Sequence, residues 1–184
     1  MVSLTTPSGQ LGSRAASFDL PGIDGKRYTL DSVRGTNGTV VMFICNHCPY
    51  VKAVVGKIVR DTSELRRHGV GSIAIMSNDT VAYPDDSFAN MKTFAAEHAF
   101  TFPYVIDETQ DVGRAYGAVC TPDFFGFDRD LKLAYRGRLD ASGRSSDPAA
   151  ARELFDAMVA VATGGKAPAV QQAAVGCSIK WKQG

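Results

Sequence analysis

Net charge is the first thing this sequence has little of. Lys and Arg number 20 against 19 Asp and Glu, a formal charge of +1 over 184 residues. A chain so nearly neutral offers no long-range field for a phosphate backbone or an anionic lipid surface, so neither nucleic acid nor membrane is expected as a partner. Long apolar runs are missing too. Stretches such as Val40 to Ile44 fall far short of the roughly 20 residues that cross a bilayer. Met1 to Ser17 is rich in Ser, Thr, Gly and Pro, with no basic start leading into an apolar run, so no export signal is expected and the expected location is cytoplasmic. Cysteine is scarce as well: four residues are too few for a disulfide-stapled scaffold, which points to chemistry rather than a covalent framework. There is no internal repeat and no long linker.

The composition that remains, 45% hydrophobic and 21% charged, is that of a compact globular chain. At roughly 150 residues per domain the length suggests one domain with decorated ends. The expected division is a flexible N-terminus over 1–17, a domain over 18–163 and a less regular tail over 164–184. Phe18 to Leu30 reads as a small hairpin around Pro21-Gly22-Ile23-Asp24-Gly25, followed by a helical turn over Asp31 to Gly35. Thr39 to Ile44 is a continuous apolar run, as in a strand buried on both faces. From Pro49 the apolar spacing becomes three and four (Val51, Val54, Val55, Ile58, Leu65), a helix that Gly69 ends before a second buried strand, Val70 to Met76. Further on, Ser87 caps a helix to about His98. Pro103 to Ile106 is a strand, and Gln110 to Gly117 a short helix. Phe124 to Asp128 and Leu131 to Arg136 form a hairpin, and Asp147-Pro148 opens a last helix to about Ala162. The fold class is therefore α/β, with a central sheet flanked by helices.

The informative chemistry is Cys45-Asn46-His47-Cys48 at the junction of a buried strand and a helix. Two thiols three residues apart on a first helical turn can close a disulfide with little backbone movement. The positive end of the helix dipole can lower a thiol from about 8.5 to roughly 3.5–7.5. A thiolate so formed attacks disulfides, and its neighbour resolves the mixed disulfide. Cys45 is expected to be the exposed nucleophile and Cys48 the resolving thiol, with His47 adding a tunable positive charge between them. The same cysteines, with or without His47, could instead hold zinc or copper in a non-enzymatic sensing module. Closed zinc sites normally take two ligand pairs, however, and Cys120 and Cys177 stand alone, so no metal or other cofactor is expected.

These features resemble the thioredoxin-like superfamily, and within it the redoxin or AhpC/TSA-like branch related to peroxiredoxins and TlpA-type oxidoreductases. The resemblance rests on the hairpin Phe18 to Leu30, the strand and C-x-x-C over Val40 to Cys48, and Thr121-Pro122 ahead of Phe124-Phe125-Gly126-Phe127-Asp128. It implies a thioredoxin-like fold with a central mixed sheet and an N-terminal hairpin extension. It also implies a cis Thr121–Pro122 step facing the C-x-x-C, where a substrate chain could pair as an added strand. It makes Cys120, just before that step, a candidate auxiliary resolving thiol; the alternative is a small buried hydrophobe. Gly176-Cys177-Ser178-Ile179-Lys180-Trp181-Lys182 resembles the tail of close relatives, with no role implied for Cys177.

The departures are specific. Ile44 and Asn46-His47 stand where thioredoxins have Trp and Gly-Pro. Thr39 to Ile44 carries no ionisable group, so another base or water must move protons. The P-x-x-x-T/S-x-x-C pattern of typical peroxiredoxins is absent before Cys45. His68 and His98, near helix ends, and Asp79 and Asp140, read as surface acids, stay outside the expected site. The expected function is that of an antioxidant-type thiol-disulfide oxidoreductase using the Cys45/Cys48 couple; a thiol peroxidase of the AhpC/TSA type is the alternative within the same chemistry. Its expected partners are protein or small-molecule disulfide or peroxide substrates and an external thiol reductant, thioredoxin-like or glutathione.

Overall fold

The computed structural model describes residues 2–183. Its centre is β4 (Gly38–Phe43), buried at every position. A strand with no polar face needs cover on both sides and partners on both edges. It pairs in parallel with β5 (Val70–Met76), from Gly38 opposite Val70 to Phe43 opposite Ile75. On its other edge it pairs antiparallel with β8 (Asp123–Asp128), Phe43 opposite Asp123. With β6 (Tyr104–Ile106) and β9 (Leu133–Gly137) the sheet runs β6-β5-β4-β8-β9, mixed as expected.

The period-2 alternation of strand side chains divides the core in two. Val40, Met42 and Ile44 pack with Ile58 and Leu65 of α2 (Pro49–Arg67), Phe94 of α3 (Phe88–Glu97) and Met158 of α5 (Glu153–Ala162). Val41 and Phe43 face the other way. They pack in the cluster that holds Tyr116 of α4 (Asp111–Tyr116), Leu30 and Val33 of the short α1 (Leu30–Val33), and Leu20 from the hairpin of β2 (Asp19–Pro21) and β3 (Arg27–Thr29).

The helix that matters for the site begins as the sequence implies. Cys48 is its N-cap and Pro49 its first residue, where a missing N–H costs nothing. It ends at His68, followed by Gly69 in the left-handed region at φ +75°. Ser87 caps α3 through the Asn90 amide, as expected.

One expectation is corrected. The last helix starts at Glu153 rather than near Asp147, because the Asp147 side chain closes a local turn on the Ala149 amide and Arg152 is held by Asp61 and Glu64 of α2. The chain ends carry short strands of their own. Ser3–Thr5 (β1) and Val175–Ser178 (β10) join Cys120–Thr121 (β7) in a second sheet, ordered β1-β10-β7. The bare edge of β7 offers unpaired backbone groups, and Ala174, Cys177 and Ile179 supply apolar surface to bury against it.

Candidate active site

Cys45 lies two residues past the carboxyl end of β4 and Cys48 caps α2, so the strand-to-helix turn brings both thiols to the helix N-terminus. Across from them the Thr121–Pro122 peptide is cis. Cys45 Sγ stands 3.3 Å from Thr121 Oγ1 and 4.0 Å from His47 Nδ1. The Cys48 thiol donates to the Thr121 carbonyl at 3.0 Å. Cys45, Cys48, His47 and Thr121 therefore meet, and Pro122, next to Thr121, lines a cavity of about 100 Å³ with Tyr50, Leu139 and Val175.

The expectation of an exposed Cys45 is corrected: Cys45 is 1% and Cys48 0% exposed. The turn is drawn inward by Asp86, and the second sheet covers it from the other side. The Thr121 edge that could have taken a substrate strand is already paired, with Cys177 of β10 opposite Thr121.

The residue the sequence did not single out is Asp86. Its Oδ1 accepts the Asn46 and His47 amides at 2.8 and 3.3 Å, and its Oδ2 accepts His47 Nδ1–H and Asn78 Nδ2–H, each at 2.7 Å. Tyr104 O–H donates to Asn46 Oδ1 at 3.0 Å. Two signals could have pointed there: Ser77-Asn78-Asp79 follows a parallel strand's carboxyl end, where sites of open α/β sheets gather, and an acidic pair follows Pro84.

The electrostatics follow from these contacts. The hydrogen bond to Asp86 raises His47 against the burial that would lower it. Burial by itself would push Asp86 up, but the bonds from His47 and Asn78 hold it below the usual carboxylate range. The two active-site thiols behave as one unit. The hydrogen bond from Cys45, opposed by burial and helped by Cys177 and Thr121, brings Cys48 down to about 5. That same bond, with burial and the Asp86 charge, holds the Cys45 proton well above the ordinary thiol range. Thr121 Oγ1, 3.3 Å from Cys45 Sγ, favours charge on Cys45 too, against the bond to Cys48, burial and the Asp86 charge. The pair thus favours a single negative charge over two.

Cys120 is placed apart. It neighbours Thr121 on a strand, so its side chain takes the opposite face, and its thiol donates to the Pro122 carbonyl at 3.7 Å. Burial, then the Asp123 charge, pushes its ionisation far up. Asp140, read as a surface acid, is buried and paired with Lys57 at 2.6 Å. The donor group that geometry assembles is Cys45, His47 and Asp86, within 4.8 Å of one another, rather than Cys45, Cys48 and His47. Asp86 already accepts four N–H groups, the pattern of a positioning carboxylate.

Fold and site together define a thioredoxin-like redoxin: a mixed sheet, a strand-to-helix C-x-x-C and a cis-Pro opposite it. The AhpC/TSA family model matches residues 11–136, and the chain belongs to the AhpC/TSA family. No curated protein matches the sequence. An uncharacterized conserved protein from Geobacillus kaustophilus is 44% identical with a TM-score of 0.96, covering 100% of this chain and 98% of that one. A hypothetical protein from Sinorhizobium meliloti is 34% identical with a TM-score of 0.93, covering 98% and 99%. The peroxidoxin BcpB of Mycobacterium tuberculosis shares the fold at 16% identity and a TM-score of 0.63, covering 84% and 96%. Among the described residues, no helix is long and apolar enough to cross a membrane.

Proposed function

We propose that the protein is a thiol-disulfide oxidoreductase working through the Cys45/Cys48 couple. The observation that carries this reading is the convergence of both thiols on Thr121, with a His47–Asp86 pair at 2.7 Å behind Cys45. Cys45 is the sulfur nearest the partly exposed His47 and takes the attacking role. Cys48, the lower of the two thiols, takes the Cys45 proton; Cys45 attacks one sulfur of a substrate disulfide, and the other substrate sulfur leaves and takes a proton. Cys48 then attacks Cys45 in the mixed disulfide, releasing the second substrate thiol and closing the Cys45–Cys48 disulfide. Two thiols of an external reductant restore the dithiol. Protein or small-molecule disulfides are the substrate class.

The test is trapping. Cys48→Ser should accumulate mixed disulfides with substrate, and Cys45→Ser should not. Equal trapping by both variants would sink the assignment of roles.

A further inference from the structure

Cys177 belongs to the part of the chain left without a role. In an antiparallel ladder, residues directly opposite share a face. Cys177 is opposite Thr121, and Ser178 opposite Cys120. Cys177 therefore shares the Thr121 face, toward the active-site pair, while Cys120 shares the face turned away. Contacts agree: the Cys48 thiol donates to the carbonyl of that same Thr121 at 3.0 Å, and Cys45, Cys48 and Cys177 are all buried in one core cluster.

Two further features hold it there. Gly176 lets the strand press on β7, since a Cβ at that position would sit 2.2 Å from the Thr121 carbonyl oxygen. Just beyond, the Lys180 amide donates to Asn78 Oδ1 at 2.9 Å, and the Lys180 carbonyl accepts from the Asp79 amide and Gln110 Nε2 at 2.8 and 2.9 Å. Asn78 is the same residue that donates to Asp86, so the tail is fastened to the network that positions His47.

We propose that Cys177 is a third redox thiol of this site, attacking Cys48 of a Cys45–Cys48 disulfide so that the bond passes to Cys48–Cys177. The step rests on the Cys45/Cys48 couple proposed above. The Cys45–Cys48 bond breaks as the Cys48–Cys177 bond forms. Cys45 leaves as thiolate and gains, in net, the proton that Cys177 loses, so no outside oxidant or reductant enters. Cys45 is returned to its reduced form beside His47. The oxidising equivalent is held in a bridge between the start of α2 and the tail, from which two thiols of the external reductant remove it.

The experiment is a time course of wild-type protein oxidised with oxidised glutathione, quenched in acid, alkylated, digested with trypsin and read by mass. Trypsin leaves Cys45 and Cys48 together on Gly35–Lys52 and Cys177 on Ala167–Lys180, so the two bridges give an internally closed peptide and a cross-linked pair. The internally closed peptide should appear first and the cross-link grow at its expense. Cys45→Ser should give the cross-link as its bridge, and Cys48→Ser should lose it. Full closure of Cys45–Cys48 in the wild type with no cross-link at any time would overturn the role of Cys177 and leave the couple standing. A cross-link in Cys45→Ser with no internal closure in Cys177→Ser would instead overturn the couple, and with it the exchange step. A Cys45–Cys177 cross-link in Cys48→Ser would overturn the assignment of Cys48 as the sulfur attacked.

Discussion

Asp86 accepts a hydrogen bond from His47 Nδ1 at 2.7 Å, and with its other oxygen takes the amides of Asn46 and of His47 itself. One buried carboxylate thus fixes the two residues between the cysteines. It supplies the charged group missing from β4, and it keeps a tunable cation 4.0 Å from Cys45.

Replacing Asp86 with Asn keeps the shape and removes the charge. His47 should then titrate at lower pH, followed by its NMR chemical shift. Asp86→Ala should cost about 3 kcal/mol in urea unfolding, the scale for removing one member of a buried, hydrogen-bonded pair. An unchanged His47 titration in Asp86→Asn would remove Asp86 from this role.

The same pair predicts a pH window with two edges. His47 is raised by folding, so its contribution is complete below its unfolded value of about 6.5 and is lost as pH rises through the higher folded value. Asp86 is lowered, so its contribution is present above its unfolded value of about 3.9 and is lost as pH falls through the lower folded value. Stability referenced to the His47→Ala variant should therefore be greatest between those edges. A difference flat in pH would contradict the pairing.

Asp123 works in the opposite sense. Burial raises it to about 6 against the pull of Arg136, and its Oδ1 has no hydrogen-bond partner. An acid raised by folding contributes stability below its unfolded value, and that contribution is lost as pH rises to the folded value. The shift corresponds to a loss on the order of 3 kcal/mol between about pH 4 and pH 6. Asp123→Asn should flatten this part of the stability profile, as read by urea unfolding at a series of pH values.

Gly176→Val places side-chain atoms where the Thr121 carbonyl already is. The tail strand should lift from β7 and expose the couple, so alkylation of Cys48 by iodoacetamide should quicken, because local opening controls access. Unchanged protection would show that β10 does not cover the site.

Peroxide turnover separates the two chemistries open to this family. The residues before Cys45, Val41 to Ile44, are apolar and fully buried. Hydrogen peroxide should therefore be consumed no faster than by a free thiol, measured by stopped flow. Rapid consumption leaving a sulfenic acid on Cys45 would place the protein among the peroxidases.

Much of the architecture was determined by sequence alone, because it depends on short-range pattern. The apolar runs at β4 and β5, the three-and-four spacing from Pro49, and Gly69 at the helix end left few alternatives for the strand-helix-strand unit. The spacing of Cys45 and Cys48 placed both thiols on one helix start. Only tertiary structure decided how deep those thiols lie, that Asp86 reaches back about forty residues to hold His47, and that Cys177 rather than Cys120 faces the couple. The reason is the same in each case. Burial and long-range pairing depend on which distant segment covers an edge, and β7 is covered by the two ends of the chain, whose short, weakly patterned strands become strands only through the partner they meet.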